Sequence, residues 1–151
     1  MPWIGSGAAS MARVVLDASV LVSAAFGGLP LKAVQKAFTH EVFVSPAIRE
    51  ELLLLPDELK YKLSPDRRAK VRRWIRAILI KATEVCPTKS LDLCRDPKGN
   101  VYLSACLASK ADYLITRDHD LLSIHKDLLA QNGLEHLNML SSRKFLAVRS
   151  V

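Results

Sequence analysis

NVYLSACLASKADYLITRDHDLL, residues 100–122, is the stretch whose reading decides the fold. Asn100 is suited to cap a helix over Val101–Lys110, because its side chain can accept an orphan backbone N–H. A strand, Asp112–Thr116, follows directly, and a short helix starts over Asp120–Ile124. The same alternation extends outward in both directions. Upstream, the apolar run Arg13–Leu16 reads as a buried strand leading through VLVSAA into a loop or helix. Pro30–Phe38 reads as a helix and Glu41–Val44 as a second strand. Ser45-Pro46 and Ser64-Pro65 are matching helix starts: a serine accepts a backbone N–H, and a proline stands where a donor would be unpaired anyway. Asp57–Leu63, between them, reads as a short helix or loop. In the second helix Val71, Trp74, Ile75, Ile78 and Leu79 form one apolar stripe, with Trp74 expected in the core. Thr83–Cys86 reads as a short strand, and Thr88–Gly99 as a polar loop. Leu134–Leu140 can be a last strand, and Ser141 or Ser142 can cap a final helix through Ala147. Such alternation points to an α/β fold, a parallel sheet with helices on both faces.

The chain has 151 residues, half of them hydrophobic and a quarter charged, which is the size and composition of one globular domain. Residues 1–10, MPWIGSGAAS, are rich in small residues and are expected to be a flexible extension. The patterned domain occupies 11–151, so Met11 is an alternative start to Met1. No apolar run approaches a membrane span, and the N-terminus lacks the basic and apolar regions of a secretory signal. A cytoplasmic protein with no membrane role is the expectation. Cys86, Cys94 and Cys106 have no zinc-site or disulfide-framework spacing, so reduced, partly buried thiols are expected.

The net charge is +7, and its excess lies in one block. Between Lys60 and Lys81 there are nine basic residues and one acid, Asp66. Arg68, Arg72, Arg73 and Arg76 fall off the apolar stripe of that helix. A solvated helix face explains such a block; so does a surface for a polyanion such as RNA.

In parallel sheets ligands bind beyond the carboxyl ends of the strands. Asp17 directly follows the first strand, with Ser19 close behind. Thr116, Arg117, Asp118 and Asp120 follow the strand Asp112–Thr116, with His119 among them. Asp96 and Asn100 precede the helix that feeds that strand. Glu51 shares a helix face with Ile48, Leu52 and Leu55, whereas Glu50 turns away from it. An aspartate after a strand is often only a cap or turn residue. Carboxylates converging from distant parts of the chain nevertheless repel one another unless a cation neutralises them. Mg²⁺ or Mn²⁺ suits oxygen ligands and can drive phosphodiester hydrolysis.

The stretches VVLDASVLVSA, VSPAIREEL and NVYLSACLASKADYLITRDHDLL resemble the PIN domain, in particular its VapC-like toxin branch, from Met11 to about Val148. The resemblance implies a three-layer α/β/α sandwich with a central parallel sheet. It implies a ribonuclease dependent on Mg²⁺ or Mn²⁺, a cognate antitoxin protein and a homodimer. It carries the metal-binding and catalytic roles to Asp17, Glu51 and Asp118. Thr116 belongs to the same element as Asp118, Asp120 is an additional acid nearby, and Ser19 could hydrogen-bond near Asp17. One family acid is missing, because the chain reads RDPKGN where RDPKDN is the pattern. Either Asp96 or Asn100 then completes the metal site, and an acid introduced by Gly99→Asp is expected to strengthen binding. The leading reading is a metal-dependent endoribonuclease, with Arg68, Arg72, Arg73 and Arg76 on RNA phosphates. The alternative is a catalytically weakened PIN-like module that binds RNA or protein. A phosphotransfer protein of receiver or phosphatase type fits poorly: it would want paired acids around Asp17, and Gly27-Gly28 is too short for a phosphate loop.

Overall fold

A computed structural model describes residues 11–149; the expected extension over residues 1–10 lies outside them. Five parallel strands form the sheet: β1 Arg13–Leu16, β2 Glu41–Val44, β3 Thr83–Glu84, β4 Tyr113–Ile115 and β5 Asn138–Leu140. Their spatial order is β3-β2-β1-β4-β5, all pairs parallel. The central strands β1, β2 and β4 are short apolar runs because both their faces are covered. Val14, Val15, Leu114 and Ile115 are completely buried.

Eight helices join the strands among the described residues. They are α1 Ala18–Ala24, α2 Gly28–Ala37, α3 Pro46–Glu58, α4 Pro65–Lys81, α5 Pro97–Ser109, α6 His119–Leu122, α7 Lys126–Gln131 and α8 Ser142–Ala147. The chain moves outward from β1 to β2 to β3, then crosses back to β4 and on to β5. With right-handed crossovers, α1 to α4 cover one face and α5 to α7 the other. This is the three-layer α/β/α sandwich that the alternation and the resemblance imply. The reversal of direction falls between β1 and β4, so their carboxyl ends open a crevice.

Several boundaries differ from the sequence reading. Asn100 does not cap α5; Asp96 does, one turn earlier, so the helix starts at Pro97. α6 likewise begins one residue before Asp120, with Asp118 as its cap. β5 is shorter than Leu134–Leu140, because Gly133 and Leu134 end α7. Gly133 has φ +82°, and the Leu134 N–H reaches back to the Leu129 carbonyl, a helix end that requires a left-handed residue. β3 stops at Glu84, before the expected Cys86, with both residues exposed at the sheet edge. α2 starts at Gly28, two residues before Pro30, and α3 runs through Pro56 to Glu58. Trp74 is half-buried, and its indole N–H donates to the Leu21 carbonyl at 2.8 Å. The stripe Val71, Ile75, Ile78 and Leu79 is buried as its periodicity requires.

Cys94 and Cys106 are buried thiols and Cys86 is exposed; none is paired. Among the described residues no single helix is long and apolar enough to cross a membrane.

The end of the described chain is fixed by one aromatic residue. Phe145 on α8 is fully buried and meets Tyr113 edge to face at 5.5 Å between ring centroids. Lys36 of α2 lies over the same ring and donates to the carbonyls of Phe145 and Val148, both at 2.8 Å. Phe145→Ala is expected to cost about 3–5 kcal/mol of stability, the range for emptying a buried aromatic site, measured by urea unfolding.

Candidate active site

Asp17 leaves the end of β1 and is 8% exposed. It is also the N-cap of α1, and its Oδ1 accepts from the Ser19 N–H at 3.0 Å. Asp118 plays the same part after β4, with Oδ1 accepting from the Asp120 N–H at 2.9 Å. Asp96 caps α5 and accepts from the Lys98 N–H at 3.0 Å. The cap reading and the site reading of these aspartates are therefore compatible. In each the backbone N–H engages one oxygen and sets the direction of the side chain; in Asp96 and Asp118 the other oxygen accepts no hydrogen bond among the described residues, whereas in Asp17 it accepts from Thr116.

Glu51 comes from the second turn of α3, which starts at the Ser45 cap beyond β2. Its helical phase turns it toward the same crevice, while Glu50 is exposed. Asp17, Glu51, Asp96 and Asp118 together line one cavity of about 330 Å³, with Ser19, Lys98, Gly99, Tyr102 and Arg117. Thr116 sits behind it, fully buried. Its hydroxyl donates to Asp17 Oδ2 at 2.7 Å and accepts from the Asp118 N–H at 3.0 Å. One side chain thus ties the Asp17 carboxylate to the backbone of Asp118.

The cavity is electrostatically unbalanced. None of its four carboxylates forms an ion pair among the described residues. Tyr102 in its wall and Cys94 behind Gly99 respond to that charge. Burial first, then the carboxylates of Asp17 and Glu51, push the Tyr102 phenol far above its ordinary range. Burial, with the charges of Asp118, Asp120 and Asp96, raises the Cys94 thiol. Both groups are neutral at neutral pH and add no further negative charge.

The donor set is all oxygen and suits a hard divalent cation. Among the described residues no three acidic, imidazole or thiol groups converge tightly enough to grip a single bare ion. The arrangement fits a cation of the Mg²⁺ kind, which keeps several waters and is held directly by only one or two carboxylates.

Asn100 is not a free ligand. Its Oδ1 accepts from both the Leu93 and Cys94 N–H groups, at 2.8 and 2.7 Å. It pins the preceding loop and lines a neighbouring cavity with Ser45, Cys86 and Ser104. Asp96 is the acid that reaches the site from this segment. Asp120 is half-buried in the first turn of α6, outside the cavity lining. The arginines of α4 also lie elsewhere. Arg72 pairs with Asp57 at 3.6 Å, Arg68 is half-buried, and Arg73 and Arg76 are exposed. The cations at the cavity itself are Lys98 and Arg117, to which sequence reasoning gave no role. Their signal was present, since each is two residues or fewer from a candidate aspartate. Tyr102 was missed because a tyrosine inside an apolar helix reads as core.

Gly99 is fixed by packing. A Cβ there would lie 2.4 Å from Cys94 Sγ, 3.0 Å from Cys94 Cβ and 3.1 Å from Leu121 Cδ2. An acid at this position has no room, so Gly99→Asp is not the simple gain of a ligand that the sequence pattern implied. Gly99→Ala is expected to lose about 1–3 kcal/mol by overpacking, and Cys94→Ala in the same chain to recover part of it, read by urea unfolding.

Comparison with known proteins agrees with this fold. Residues 13–120 match the PIN domain family. An uncharacterized protein of Methanocaldococcus jannaschii is 28% identical over 143 residues, covering 89% of each chain.

Proposed function

The chain belongs to the PIN domain family, whose members are in general nucleases, and from that premise we propose that it is a metal-dependent endoribonuclease working at the acidic cavity. One observation carries the reading: Asp17, Glu51, Asp96 and Asp118 line one crevice, and among the described residues no lysine, arginine or histidine forms an ion pair with any of them. Asp17, Glu51 and Asp118 are the catalytic carboxylates, and Asp96 supplies the acid that position 99 lacks. Mg²⁺ or Mn²⁺ held among these residues, directly by one or two of the carboxylates and through its waters by the others, would supply Lewis acidity to the phosphoryl group and to water.

The protein's own groups do the rest. Thr116 holds the Asp17 carboxylate in a fixed relation to the backbone of Asp118. Ser19 lines the same wall. Lys98 and Arg117 stand where an RNA phosphate entering the crevice would be neutralised. Arg68, Arg72, Arg73 and Arg76 extend positive charge along α4, for the strand beyond the cut. Arg73 and Arg76 are the freer pair; Arg72 would have to exchange Asp57 for a phosphate. The resemblance to the VapC-like branch supports a further step: a toxin held by an antitoxin protein, working as a homodimer in the cytoplasm.

Cleavage of a labelled single-stranded RNA with Mn²⁺ or Mg²⁺ tests the reading. Asp17→Asn and Glu51→Gln should each lower the rate at least a hundredfold. Millimolar Mn²⁺ should raise the melting temperature of the wild type by a few degrees through linkage, and Asp17→Asn should abolish the rise. RNA binding that survives metal removal and Asp17→Asn, without any cutting, would instead favour a binding module.

A further inference from the structure

Tyr102 belongs to α5, which otherwise contributes apolar packing at this level, and its side chain is only 3% exposed. Its hydroxyl has two partners. The Ala18 N–H donates to it at 3.1 Å, and it donates to Glu51 Oε1 at 2.5 Å. The order of donation is forced. A backbone N–H can only donate, so the phenol oxygen must accept there. Its single proton is then left for Glu51.

The geometry therefore links three elements at the cavity wall. Ala18 is the first residue of α1, directly after Asp17; Glu51 stands on α3; Tyr102 stands on α5. Glu51 needs such a tie more than the aspartates do. They are short and held as the caps of their own helices, whereas Glu51 has a longer side chain in mid-helix. Among the described residues its carboxylate accepts one hydrogen bond from the protein, that from Tyr102. An oxygen engaged by the buried phenol leaves the second oxygen for the cavity that Glu51 lines.

We propose that Tyr102 is a positioning residue of this site, its hydroxyl fixing Glu51 so that one carboxylate oxygen faces the cavity. The proposal rests on the reading of the cavity as a cation-dependent nuclease site. Phenylalanine at 102 would keep the ring and its packing and remove only the tie.

The experiment compares wild type, Tyr102→Phe, Asp17→Asn, Glu51→Gln and the Tyr102→Phe/Glu51→Gln double variant. Mn²⁺ affinity is measured by calorimetry and electron spin resonance, and RNA cleavage is measured alongside. Loss of a hydrogen bond that orients a metal ligand typically weakens binding or activity 10–100-fold. Tyr102→Phe should weaken Mn²⁺ binding about tenfold and lower kcat, with KM for RNA unchanged. In the double variant the tyrosine change should add nothing to the loss from Glu51→Gln, because its effect passes through Glu51. Wild-type Mn²⁺ affinity and kcat in Tyr102→Phe, beside a loss in Asp17→Asn, would overturn the role of Tyr102 and leave the nuclease reading standing. Additive losses in the double variant would also overturn it. A wild type that binds no Mn²⁺ would overturn both. If Tyr102→Phe does not fold, the wild type with labelled tyrosine carries the test. The Tyr102 hydroxyl proton should appear as a slowly exchanging resonance that shifts with Mg²⁺ and vanishes in Glu51→Ala; no shift with Mg²⁺ would overturn the proposal.

Discussion

The bond from the Thr116 hydroxyl to Asp17 joins the carboxyl ends of β1 and β4, the two strands between which the chain reverses its direction across the sheet. The backbone reinforces it, since the Asp17 N–H donates to the Ile115 carbonyl at 3.0 Å. The crevice that the topology opens at this point is thus closed at its base by a buried hydroxyl and a nearly buried carboxylate. Everything placed around it depends on that anchor. α1 starts from Asp17, α6 starts from Asp118, and Thr116 touches both residues. Removal of the hydroxyl would leave a carboxylate at 8% exposure without its side-chain partner, the kind of loss that costs most in a buried site.

Gathering four carboxylates in one cavity is unfavourable by simple Coulomb repulsion. Part of the answer lies in the helices. Asp17, Asp96 and Asp118 each sit at a helix N-terminus, where backbone N–H groups and the helix dipole favour negative charge. Glu51 lacks that support and receives a phenol instead. Local structure can make each acid tolerable on its own, but it does not remove the repulsion between them. A cation would, and this is why the absence of ion pairs to these acids among the described residues matters more than any single acid does.

The fold was legible because its signals are local. Serine-proline pairs start α3 and α4, apolar runs mark β1, β2 and β4, and the stripe from Val71 to Leu79 shows which side of α4 is buried. Glu51 could be chosen over Glu50 from helical phase alone, and it lines the cavity while Glu50 is exposed. Asp17 and Asp118 could be chosen because they directly follow strands. Asn100 was misread because a capping residue and a residue one turn inside a helix look alike. Only the bonds from Leu93 and Cys94 reveal that its oxygen is engaged. The expectation for Gly99 leaves out the same kind of information: a pattern of acids says nothing about the thiol of Cys94 that occupies the space.

The sequence alone determined the order of elements, the parallel sheet, and the acids delivered to its carboxyl edge, since these follow from periodicity, capping and position after a strand. The tertiary structure alone decided that Asp96 reaches the cavity while Asn100 serves the loop, that Lys98 and Arg117 rather than the α4 arginines stand beside the acids, and that Tyr102 ties Glu51 to the start of α1. Each of these depends on which side chains meet after distant segments pack. Tyr102 and Glu51 are 51 residues apart, and Tyr102 and Ala18 are 84 apart. No local pattern records a contact of that kind.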